Sequence, residues 1–156
     1  MKVGVWIKVG LLIIIIIFLQ ACNCINKDSS KNNEINVEKE ISYLFDGYNY
    51  DLKVGMQRGF ANYYNVFILK SDLSLSGFER IKSKIEKKWK LVYTSEGQYV
   101  FCYDRYNQMT IIYPGKMEYY DKFGQKLYIK SSSLDKWGIS IKYIKEGTLY
   151  CKDAEF

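Results

Sequence analysis

Residues 60–89 read FANYYNVFILKSDLSLSGFERIKSKIEKKW and place a strand directly before a helix. Phe60 to Leu69 is dense in aromatic and β-branched side chains, which suit a pleated, half-buried surface and predict a central strand. The hydrophobic period then changes. Phe78, Ile81 and Ile85 fall at i, i+3 and i+7 and Trp89 four further on, one apolar stripe of a helix over about residues 76–89. Ser76-Gly77-Phe78-Glu79 has the form of a capping box, in which Ser76 caps the first turn and Glu79 bonds back. Arg80, Lys82, Lys84, Glu86, Lys87 and Lys88 occupy the other faces. Such a basic face is a contact for a membrane or an acidic partner or, more simply, a solvated surface.

Outward from this pair the chain reads as strands. Before it, Ile41–Leu44 is strand-like, Asp46-Gly47 signals a turn into Tyr48–Leu52, and Gly55 and Gly59 mark a further loop. After it come Leu91–Thr94, Gln98–Tyr103 and Met109–Tyr113, joined by connections short enough for antiparallel hairpins. Pro114-Gly115 ends that run. Met117–Tyr120 and Lys126–Lys130 flank Phe123-Gly124 as another hairpin, Ser131-Ser132-Ser133 breaks the pattern, and Ile139–Ile144 with Thr148–Lys152 closes the domain around Glu146-Gly147. The expectation is a single small α+β domain over residues 39–156, a mostly antiparallel sheet with one main amphipathic helix.

Composition narrows the function classes. The chain has 156 residues, 48% hydrophobic and 26% charged, which excludes a wholly disordered chain and leaves room for one domain. One long apolar run, Val9 to Leu19, excludes a polytopic membrane protein. Histidine is absent, which removes His-dependent triads and His metal sites. No CxxC or ligand-spaced cluster, internal repeat or Gly-rich phosphate fingerprint occurs, so neither a metal nor a cofactor is expected.

The first residues, MKVGVWIKVGLLIIIIIFLQAC, have the three-part form of an export signal: Lys2 and Lys8, an apolar run, then a small-residue end. A helix over Val9–Leu19 spans only about 16 Å, short of a bilayer core of about 30 Å. Leu19-Gln20-Ala21-Cys22 resembles the lipobox of bacterial lipoproteins, Gln20 departing from the Ala or Ser usual there. The resemblance covers these 22 residues only and implies cleavage of 1–21, a diacylglyceryl group on the Cys22 thiol and usually an N-acyl chain such as palmitate. Two or more chains give stable anchoring where one does not. The alternative is an uncleaved anchor with Val3–Ala21 spanning and Lys8 snorkelling. With Asn23 rather than Asp after the Cys, the resemblance implies the outer membrane facing the periplasm in a Gram-negative cell. In a Gram-positive cell it implies the outer face of the plasma membrane. Residues 22–38, rich in Asn, Ser and charge, read as the lipidated terminus and a flexible tether; about fifteen such residues span ~20 Å.

Losing Lys2 and Lys8 takes the net charge from +6 to +4, scattered enough to aid solubility rather than define a nucleic-acid surface. Of the remaining cysteines, Cys24 sits in the tether, unpaired or available for intermolecular pairing. Cys102 and Cys151 lie in strand-like stretches and form the natural disulfide pair for an oxidising compartment. Closing a loop of about 50 residues is worth about 3–4 kcal/mol; the alternative is two buried free thiols.

Three features bear on chemistry. Ser133-Leu134-Asp135-Lys136 matches S-x-x-K but has no S-D-N or K-T-G companion, so a turn is the simpler reading. Asp46, Asp51, Asp72, Glu96, Asp104, Glu118 and Asp121 sit in turns or on polar strand faces, and sequence does not say which meet. Tyrosine is in excess, with 15 in the chain. Tyr63, Tyr64, Tyr99, Tyr103, Tyr119 and Tyr120 are candidates for a protein-binding surface, since tyrosine brings large amphipathic area at low entropic cost. High β-propensity alone also enriches it. The leading expectation is a non-enzymatic envelope lipoprotein that binds another protein, as an immunity protein against a periplasm-acting toxin or an envelope-assembly accessory. The alternative is a small-ligand or glycan carrier whose cleft, between sheet and helix, is lined by tyrosines and Trp137.

Overall fold

A computed structural model describes residues 33–156; the expected signal segment, Cys22, Cys24 and most of the expected tether lie outside the described residues. Ordered structure begins earlier than Lys39, because Asn36 is a helix cap. Its side chain accepts from the Lys39 N–H and starts helix α1, Val37–Leu44. Val37, Ile41 and Leu44 recur at i, i+4 and i+7 and are all buried, so the strand expected at Ile41–Leu44 is the inner face of a short helix. The preceding residues are fastened too. The Glu34 carboxylate accepts from Asn62 Nδ2 at 2.7 Å and from the Tyr64 hydroxyl at 3.1 Å. The fully buried Asn107 donates from Nδ2 to the Asn33 carbonyl at 2.6 Å and accepts from the Ile35 N–H at 3.3 Å. The tether expected through residue 38 therefore gives way to fold by Asn33.

Gly47, at φ +83°, ends α1 where a hairpin turn was expected. The chain then forms β1, Asp51–Arg58, through the segment expected to loop at Gly55, with a bulge between Val54 and Gln57. A two-residue turn at Gly59-Phe60 leads into β2, Ala61–Leu69, the expected central strand. Helix α2, Leu75–Ile85, is capped two residues before the expected box. Ser74, not Ser76, is the cap and accepts from the Gly77 N–H at 3.1 Å. The third helical position is thus a glycine, so Glu79 has no part in capping. Trp89 lies past the helix in a turn, yet stays buried with its indole N–H donating to Glu40 at 3.0 Å.

Strands β3 (Lys90–Ser95), β4 (Gln98–Cys102) and β5 (Asn107–Ile112) form the expected meander. Glu96 and Gly97 both have positive φ, as a type I′ hairpin turn requires, and a Cβ on Gly97 would stand 2.9 Å from the Tyr113 carbonyl. A separate small hairpin, β6 (Glu118–Tyr120) with β7 (Lys126–Tyr128), leads through a 3₁₀ turn at Ser131–Ser133 to β8, Lys136–Ile144. The main sheet has the order β1-β2-β8-β5-β4-β3, with every neighbouring pair antiparallel. Two helices and a six-stranded antiparallel sheet make this an α+β domain.

The strand expected at Thr148–Lys152 is instead a set of turns, in which the Thr148 carbonyl accepts from the N–H groups of Cys151 and Lys152. Satisfying its backbone locally, this segment joins no ladder. It is bound to the sheet by a disulfide between Cys102 and Cys151, whose Cα atoms are 5.6 Å apart.

Period-two patterning on β8 separates the two sheet faces. Trp137, Ile139 and Ile141 point to one side, where the main core packs α1 and α2 on the sheet. Phe78 is its hub, with ring centroids 4.6 Å from Trp137 and 5.0 Å from Tyr99. Lys136, Gly138, Ser140 and Lys142 point to the other side, where cover comes from the C-terminal turn and the loop and hairpin between β5 and β8.

Candidate functional site

The helix-free face carries a built concavity, a cleft of about 280 Å³. Its floor is two rows of side chains across β2, β8 and β5. Pairing in register sets Asn65, Ser140 and Thr110 in one row and Phe67, Gly138 and Ile112 in the next. Gly138 supplies the depth: a Cβ there meets nothing within 4 Å. Thr110 is held in place by a 3.0 Å hydrogen bond that its Oγ1 accepts from Gln108 Nε2. Tyr128, Ile129 and Pro114 wall the cleft, and Ser133, Lys130 and Lys136 complete it, with no carboxylate among the lining residues.

One rung further, Lys142 lies between Tyr63 and Gln108. Burial pushes its amine below the usual lysine range, opposed by the charge of Asp121. Gln98 and Gln108 are buried on this face with side-chain carbonyls that have no partner. Buried polar groups of this kind are uncommon in a finished core.

The hairpin above presents an aromatic outer face. Register places Glu118, Tyr120, Lys126 and Tyr128 on one side, with Glu118 and Lys126 paired at 2.6 Å. Tyr120 is 56% exposed and Tyr128 62%, and Met117 and Phe123 are exposed beside them. The Tyr128 hydroxyl points at Met117 Sδ, 3.9 Å away.

The six candidate tyrosines do not form one surface. Tyr119 is buried, its hydroxyl accepting from the Gly115 N–H at 2.7 Å, because the inner face of the hairpin packs downward. Tyr64 and Tyr99 pack against the core on the helix side. Tyr63 is half-buried beside Lys142, Tyr103 packs edge-on to Trp89, and Tyr120 is the one of the six on the outer face of the hairpin. Trp137 is also on the wrong face for a cleft: it is fully buried under the helices, its indole N–H donating to the Leu73 carbonyl at 2.7 Å. The cleft lies between sheet and hairpin rather than between sheet and helix.

Six of the seven candidate carboxylates serve local structure. Asp51, Glu96 and Glu118 pair with Lys53, Lys116 and Lys126. Asp72 accepts from Ser71, while Asp104 and Asp121 accept backbone N–H groups inside their turns. Ser133 and Lys136 of the S-x-x-K match both line the cleft, with Ser133 closing the 3₁₀ turn through its N–H to the Lys130 carbonyl.

The floor residues do not stand out in the sequence. The one available signal was a glycine inside a strand pattern, which marks a close approach or missing side-chain volume. Fold and site define a small, fully antiparallel α+β domain with a cleft on the helix-free face. No family model, curated protein or solved structure matches the chain.

Proposed function

We propose that this chain is an exported, lipid-anchored envelope protein whose domain is a non-enzymatic binding module for another protein. Anchoring rests on the residues 1–22 pattern and makes Cys22 the lipidated residue. The protein-binding reading is carried by one observation, the aromatic outer face of hairpin β6–β7, where Tyr120 and Tyr128 are exposed on one side with Met117 beside Tyr128. Rigid aromatic clusters of this kind are where interface energy concentrates. A partner of this type is an incoming toxin or an envelope-assembly component.

The test uses the full chain, purified in detergent, as bait against envelope and secreted fractions of its host. One stoichiometric protein partner, lost when Tyr120 and Tyr128 are both changed to alanine, supports the reading. No partner, or capture indifferent to that change, refutes it. Separately, Cys22→Ala should abolish acyl labelling and release the protein; persistent labelling refutes the anchor.

A second reading, a small-ligand or glycan carrier, is favoured by the cleft, because its polar row is open to a bound molecule and Gly138 leaves room for one.

A further inference from the structure

We propose that the cleft beneath hairpin β6–β7 binds the ring of an acidic sugar, an inference that rests on the carrier reading. Size comes first. About 280 Å³ lies at the small end of ligand pockets, which run ~300–1,000 Å³, and suits one ring rather than a nucleotide or a lipid chain. The floor then selects for a molecule with two kinds of surface. Asn65, Ser140 and Thr110 offer an amide and two hydroxyls in one line across three strands, about 4.8 Å apart. Phe67 and Ile112 offer apolar area one rung away.

A wholly apolar occupant would cover the polar row without replacing its water hydrogen bonds, which costs free energy. A sugar ring satisfies both rows, with hydroxyls around its edge and C–H groups on its faces. The charge of the lining decides the rest. Among the described residues, Lys130 and Lys136 line the cleft and no carboxylate does, so a ring bearing a carboxylate is preferred to a neutral one. Thr110 is fixed in advance by Gln108, which lowers the ordering cost of binding.

The experiment titrates the full chain in detergent with glucuronate and with glucose, read by calorimetry. Glucuronate should bind about fivefold or more tighter than glucose, and changing Lys130 and Lys136 to glutamine should remove that preference. Gly138→Val, whose Cβ stands at the cleft floor with nothing within 4 Å, should weaken glucuronate about tenfold or more while the unfolding midpoint holds. Equal affinity for the two sugars, or glucuronate binding unmoved by Gly138→Val, overturns the proposal. Absence of glucuronate binding also overturns it. Mass spectrometry of protein isolated from its host then separates the two levels. A different co-purifying small molecule, absent from Gly138→Val, leaves the carrier reading standing and rejects the acidic sugar; no small molecule in either rejects both.

Discussion

The two faces of one sheet are built to different rules. On the helix side, Phe78, Trp137, Met109 and Ile111 are fully buried and interdigitate with α1 and α2. On the hairpin side, an equal expanse of β2, β8 and β5 carries Asn65, Ser140, Thr110, Gln108 and Lys142 beneath partial cover. Among the described residues, only Val100, Cys102, Tyr150 and Cys151 form a buried apolar cluster there, fixed by the disulfide. Stability is thus concentrated on one face, and the other keeps polar groups and free volume that a structural core would eliminate. That contrast is the physical argument for placing function on the hairpin side.

The contrast makes graded predictions. Phe78→Ala, which removes a buried ring from contact with Trp137 and Tyr99, should cost about 3–5 kcal/mol, read by urea denaturation. A comparable loss from Phe67→Ala on the other face would erase the distinction. Replacing Cys102 and Cys151 together by alanine should cost about 3–4 kcal/mol, because it frees a loop spanning 49 positions in the unfolded chain. Hydrogen exchange should show that loss in the helix-side core as well as in β4, because a cost set in the unfolded chain lowers global stability, with the C-terminal turn opening further still. Ser74→Ala should cost about 1 kcal/mol and fray the first turn of α2, whereas Ser76→Ala should change little.

The smallest effect concerns Lys142. Burial lowers its pKa below the ordinary lysine value of about 10.5, so the unfolded chain binds that proton more tightly. Stability therefore rises with pH between the lowered folded value and the ordinary one. Lys142→Met should be more stable than the parent at neutral pH, and the difference should shrink as pH approaches 10.5, measured by denaturation midpoints across that range. A constant difference would show that the amine is fully solvated.

Much of the sheet was legible because its strands are short runs rich in aromatic and β-branched residues, bounded by turn residues, and such runs need no knowledge of their neighbours. Clear period-two burial is added on β8. Helix α1 was not legible as a helix. With eight residues and three apolar positions, its Ile41–Leu44 half resembles a strand, and only packing on the core chooses between the two. The C-terminal segment misled for the opposite reason: Tyr150 and Cys151 look strand-like, but the chain there closes into turns at Thr148 and is held to β4 through Cys102.

By itself the sequence determined the α+β class and most strand positions, because these depend on local composition and on periods along the chain; the residues 1–22 pattern, also local, carries the proposed anchor. The tertiary structure alone decided which tyrosines are buried, which face Trp137 serves, and that Gly138 opens a cleft beside Ser140. Those are questions of which strands become neighbours, in what register and under what cover. Long-range pairing settles them, and no residue's local preference encodes it.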